Sequence, residues 1–125
     1  NTSSQGGGTI GTDIFLVCSA DATNGSFIRR VRLIPTASLP TTTTATVARF
    51  FISSVSSGAT TSANTFLVGE VTLPAIAADN STTAVYYFDF PFNDGLEAWM
   101  ELLVTNHVAP AANTAWVAVP FYGDF

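Results

Sequence analysis

Few residues in this chain could do chemistry, and they are scattered. Glu97 and Glu101 lie on one short stretch, Asp89 and Asp94 on another, and His107 and Cys18 are the sole histidine and the sole cysteine. Two carboxylates facing each other across a sugar, one with a raised pKa, would make a glycosidase pair. Tyr86, Tyr87, Trp99 and Trp116 could line such a cleft. Glutamates of this kind more simply face water or pair with arginine, and glycosidases usually need a larger scaffold. His107, in Asn106-His-Val-Ala-Pro110, reads as a histidine at a strand end or in a loop. No Gly-x-Ser-x-Gly elbow accompanies it, and nothing around Cys18 resembles a cysteine-nucleophile motif. In Asp13-Ile-Phe-Leu-Val-Cys-Ser, Cys18 reads as a small buried hydrophobe in a strand, with no neighbouring cation or helix start to activate the thiol. One histidine and one cysteine do not make a zinc site, and no EF-hand spacing occurs. Gly6-Gly-Gly8 lacks the Lys-Ser/Thr and strand-to-helix context of a phosphate loop. The sequence therefore points to no catalytic residue, no metal and no cofactor.

The arginines are the distinctive feature. The chain has no lysine, and three of its four arginines, Arg29, Arg30 and Arg32, sit inside one apolar run, with Arg49 inside another. One reading pairs them with Glu70, Asp89, Glu97 or Glu101, across strands or across a subunit boundary. Arginine suits such places because its planar fork binds carboxylate bidentately and sheds water more readily than lysine. The other reading is a site for an anion such as phosphate or sialic acid. A general electropositive surface would tolerate both cationic residue types, so the absence of lysine favours the first.

Composition bounds the rest. The 125 residues suffice for one domain with a single core. Only 10% are charged against 47% hydrophobic, and the net charge is −5. That balance argues against nonspecific nucleic-acid binding, which needs basic surface to displace counterions. The remaining surface formers are mainly Thr, Ser and Asn, a neutral polar coat suited to packing against other protein. No apolar run approaches the roughly 20 residues of a membrane span. The single cysteine cannot close an internal disulfide and gives no sign of secretion. The opening Asn1-Thr-Ser-Ser-Gln-Gly-Gly-Gly reads as a flexible arm over 1–8, and its lack of Met fits processing or a start inside a longer product. Sequons at Asn1, Asn24 and Asn80 are what chance produces in so Asn-, Ser- and Thr-rich a chain.

The elements that must position these side chains are strands. Runs of β-branched and aromatic residues recur between Gly, Pro, Asn, Asp and Ser clusters. They predict strands near 9–19, 26–35, 45–54, 65–73, 84–91, 96–105 and 114–122. Asn24-Gly25 and Asn93-Asp-Gly95 supply turns, and 56–64 and 77–81 polar loops. The fold class expected is all-β, a single antiparallel β-sandwich of jelly-roll type with seven to eight strands over 9–125. In 46–52, Thr46, Ala48, Phe50 and Ile52 share one face, while Val47, Arg49 and Phe51 share the other. In 27–34, Phe27, Arg29, Val31 and Leu33 oppose Ile28, Arg30, Arg32 and Ile34. Neither strand has a clean polar face, so a second cover from sheet, loop or subunit is expected. Leu96–Thr105 has helical spacing at Glu97 and Glu101, but its flanking turn favours a strand that points Glu97, Trp99, Glu101 and Leu103 outward.

With the strands placed, several segments carry a resemblance. Gly11-Thr-Asp13, Asn24-Gly-Ser-Phe-Ile-Arg-Arg-Val-Arg-Leu33, Ala45-Thr-Val-Ala-Arg-Phe-Phe-Ile52, Glu70-Val-Thr-Leu-Pro74 and Trp116-Val-Ala-Val-Pro-Phe-Tyr-Gly-Asp-Phe125 together resemble small tailed-phage virion structural proteins of the capsid decoration, or cement, type. The chain departs from that pattern in Tyr86–Phe92 and in Leu96–Leu103. The resemblance implies a jelly roll on the outer surface of an icosahedral head, a homotrimer, and the major capsid protein as partner. Arg29, Arg30, Arg32, Arg49, Glu97, Glu101 and Trp99 would then belong to the subunit or capsid interface. A tail or fibre module that binds a receptor or glycan, with 56–64 as a contact, is the alternative.

Overall fold

A computed structural model describes residues 6–37, 42–77 and 87–125. The described residues contain no helix, and 63% of them are strand, in antiparallel sheets. The strands are β1 (Gly8–Thr9), β2 (Phe15–Ser19), β3 (Ser26–Ala37), β4 (Thr46–Ser53), β5 (Ala59–Thr60), β6 (Thr65–Leu73), β7 (Phe88–Leu96), β8 (Glu101–Asn106) and β9 (Thr114–Asp124). A four-stranded sheet runs β2-β8-β4-β6, a three-stranded sheet β7-β3-β9, and β1 pairs with β5. The arrangement is consistent with a β-sandwich.

Alternation along the strands builds the core. Ile28, Val31 and Leu33 of β3 face Ala48 and Phe50 of β4, Leu102 of β8 and Leu73 of β6, all buried. Phe50 stacks on Phe90 of β7 with centroids 4.3 Å apart and planes 4° apart, tying one sheet to the other. Gly69 of β6 lies under that stack, where any Cβ would collide with the Phe90 ring. Each large apolar side chain so buried contributes about 1.5–3 kcal/mol.

The next residues along the same strands point the other way. Phe51 and Leu103 leave the main core and join Ile14 and Ile10 in a second apolar cluster. Its cover is the segment 6–14 with β1 and β5. Gly6 is buried with φ +70°, and a side chain there would run into Thr65 and Phe51. The hydroxyl of Thr60 donates to the Gly6 and Gly8 carbonyls, and that of Thr105 to the Asp13 carbonyl at 3.0 Å. The cover expected over the second face of β4 is therefore supplied within the chain. Of the arm expected over 1–8, residues 6–8 are packed here and 1–5 lie outside the described residues.

Four local expectations change. The stretch 9–19 divides into β1, a turn and β2. Asn93-Asp-Gly95 is no tight turn but part of β7, with Asn93 at φ 49° accommodating an irregular register against β3. The turn falls instead within the strand expected at 96–105. Met100 N–H donates to the Glu97 carbonyl at 3.1 Å, and β8 starts only at Glu101. On β3 a bulge at Arg29 shifts the register against β9, while against β7 the extra residue lies on β7, next to Asn93. The β3 bulge brings Ile28 into the core beside Val31 and Leu33, so Ile28 does not share a face with Arg30 and Arg32.

Candidate interface

The outer face of β7-β3-β9 gathers the arginines. Cross-strand pairing puts Arg32 opposite Asp89 on β7, and Arg30 opposite Pro91 on β7 and Phe121 on β9. Arg32 donates from Nε to Asp89 Oδ1 at 2.8 Å and from Nη2 to Oδ2 at 3.0 Å, a bidentate fork. Those hydrogen bonds, and then the guanidinium charge, hold the Asp89 carboxyl below the ordinary carboxylate range. The Arg32 guanidinium lies 3.7 Å above the Tyr87 ring, and that of Arg30 4.3 Å above Phe121. Arg30 Nε approaches Asp89 only to 3.6 Å, is shielded from water and lacks a hydrogen-bond partner. Arg29, thrown out by the bulge, makes no ion pair among the described residues.

Arg30 and Arg32 thus lie flat against aromatic rings on an open face and keep 31% and 25% of their side-chain surface. Among the described residues no sheet or loop of this chain covers that outer face of β3. Arg29 and Arg30 line a shallow cleft of about 290 Å³ with Phe27, Phe121, Tyr122 and Gly123. Phe27 meets the ring of Phe125 edge-on at 6.4 Å. Sequence reasoning missed these aromatics as site residues. The signal was Phe121-Tyr122 beside Pro120, an aromatic pair on a strand where one of two neighbours must face outward.

Arg49 lies on the outer face of the four-stranded sheet, away from the other three. Its Nε donates to Glu70 Oε1 at 2.6 Å, and its Nη1 to His107 Nδ1 at 2.9 Å. A guanidinium can only donate, so Nδ1 accepts and the neutral ring carries its proton on Nε2. Glu70 and Asp89 are the carboxylates that arginine takes. Glu97 and Glu101 are not. Glu101 is 5% exposed, with Oε1 accepting from the Ser19 hydroxyl at 3.0 Å and Oε2 buried without a partner, so it presents no carboxylate at the surface. Glu97 and Trp99 belong to the β7–β8 turn, where Trp99 is 73% exposed.

The far edge of the sandwich opens into a groove of about 640 Å³ between β2 and β9, lined by Phe15, Leu16, Leu33, Val104 and Trp116 with Asp13 at its rim. The 56–64 loop contains β5 and is pinned to β1. Among the described residues no group of three or more His, Cys, Asp or Glu side chains could hold a metal. Comparison with protein-family models, curated proteins and solved structures found no match.

Proposed function

We propose that this chain is a virion structural protein, a capsid decoration subunit that binds the outside of a tailed-phage head and stabilises it. In this reading it is non-catalytic, folds as a jelly roll and works as a homotrimer. The observation that carries the reading is the surface. Phe15, Phe66, Tyr87, Trp99, Tyr122 and Phe125 are each half or more exposed on a domain with only 10% charged residues. Exposed aromatics in such number mark surfaces made to meet protein. The jelly-roll reading draws support from the path of the chain. It crosses between the two sheets at each step from β2 to β9 except from β4 to β6.

The mechanism is mass action. A subunit that binds the assembled lattice and not its separated parts stabilises the lattice by its own binding free energy, summed over many copies. The test is to add the purified protein to undecorated heads and measure occupancy and resistance to heat. Saturable occupancy in fixed ratio to the major capsid protein, with later DNA release on heating, is expected. Binding to tails alone would sink the proposal.

The groove beside Trp116 favours a second reading, a receptor- or glycan-binding module on a tail or fibre. An apolar wall with Asp13 and Asn106 at its margin is the usual make-up of a small-ligand site. Saturable binding on a glycan array, lost in Trp116→Ala, would favour it over decoration.

A further inference from the structure

The β7–β8 turn is built at a cost that the fold itself does not explain. The Met100-to-Glu97 hydrogen bond closes a turn whose third residue takes φ 69°, and that residue is Trp99. Positive φ at this position is the province of Gly or Asn, and a bulky side chain there is strained. The strain secures no burial, because the indole stands in solvent. Around it the chain collects negative charge. The 21–25 turn lies against Leu96 and Glu97, bringing Asp21 alongside. Asp124 accepts from the Ser26 hydroxyl at the same end of the sheet, and Asp94 pairs opposite Ile28. Asp21 is held ionised by the backbone N–H groups of Asn24 and Thr23.

The cleft on the outer face of β7-β3-β9 has the opposite character. Arg29 and Arg30 line it, in a chain whose net charge is −5. Its aromatic walls and its 290 Å³ admit one large side chain, not a drug-sized ligand. Arg29 has no ion pair among the described residues, and Arg30 Nε, 3.6 Å from Asp89, lacks a hydrogen-bond partner.

We propose that the Trp99 turn of one copy docks into the Arg29–Arg30 cleft of a second copy. The indole enters between Phe121 and Tyr122, and Glu97 of one copy pairs with Arg29 of the other. Tip and cleft are different surfaces, so the contact is heterologous. Repeated, it closes into a ring where the rotation allows and otherwise grows as a chain. Charge complementarity sets the partner: an acidic tip seeks a cationic cleft, and this chain carries one of each. A buried aromatic anchor beside an arginine is the usual centre of such an interface. The proposal rests on the self-assembling part of the reading above and not on the particle.

Sedimentation velocity on the purified chain, over a range of concentrations at low and high salt, is the test. It needs no capsid, so decoration can fail while this contact stands, and the reverse. The wild type is expected to form a discrete oligomer that weakens as salt rises. Trp99→Ala and Arg29→Glu should each raise the dissociation constant about tenfold or more. Arg29 is an exposed bulge residue, so Arg29→Glu should keep the wild-type melting temperature even if Trp99→Ala disturbs its turn. Combining Arg29→Glu with Glu97→Arg should restore association. A chain that stays monomeric throughout, an oligomer indifferent to both single changes, or a double variant as weak as the singles would each overturn the proposal.

Discussion

At the scale of single residues, burial decides what each polar group can do. Cys18 sits in the core, where burial and then the charge of Glu101 push the thiol up to about 11 from 9.0. The thiolate is the nucleophile, so the native protein should react with a maleimide at neutral pH far more slowly than the urea-unfolded chain. Equal rates would show the thiol to be open. The same shift links stability to pH. Below 9 both folded and unfolded chains keep the proton, and between 9 and 11 the unfolded chain releases it first, so stability falls across that window. The sequence identified Cys18 as a buried hydrophobe from its strand alone. It could not foresee the fate of Glu101. A glutamate beginning an apolar strand is ordinarily an outward residue, and only the seating of Ser19 beside it and the cover above the four-stranded sheet make it a buried one.

The element scale is where alternation succeeds and where it slips. β6 falls at 65–73 as expected, and β4 and β9 fall within two residues of expectation, although the β4–β6 register shifts between Phe50 and Phe51. β3 and β7 depart from expectation because a bulge inserts one residue and reverses the faces beyond it. No side-chain type betrays that at Arg29, since arginine is at home both in a bulge and on an outer face. The arginine partners were half legible: Glu70 and Asp89 lie opposite Arg49 and Arg32 in register, which pairing fixes and sequence does not. Close packing between the sheets gives the prediction for this scale. Gly69→Ala forces a Cβ into the Phe90 ring and so against the Phe50 stack, an overpacking that should cost about 1–3 kcal/mol in urea denaturation. Gly123→Ala, with open space around its Cα, should change the midpoint little. Equal effects would mean that the stack yields freely.

Over the whole molecule the two sheets are not equivalent. The three-stranded sheet packs on one side and opens on the other, where its arginines and aromatics face outward. The inner strands of the four-stranded sheet are buried on both sides, by Phe50 and Leu102 toward the main core and by Phe51 and Leu103 toward the segment 6–14, while the edge strands β2 and β6 keep exposed residues. Around Phe51 and Leu103 these strands are the middle of three layers, where the alternation alone suggested a two-faced sheet in need of cover. Within that sheet β4 and β8 are the inner strands, flanked by β2 and β6. Amide hydrogens there can meet deuterium only when both outer layers part. Their exchange should therefore report the full unfolding free energy, while amides at the free edges of β7 and β9 exchange through smaller openings. Hydrogen–deuterium exchange by mass spectrometry would test this ordering, with uniform protection across both sheets as the contrary result. A double layer of protection turns β4 and β8 into the last structure this chain surrenders, a slow clock at the centre of a molecule whose outer face stays free to bind.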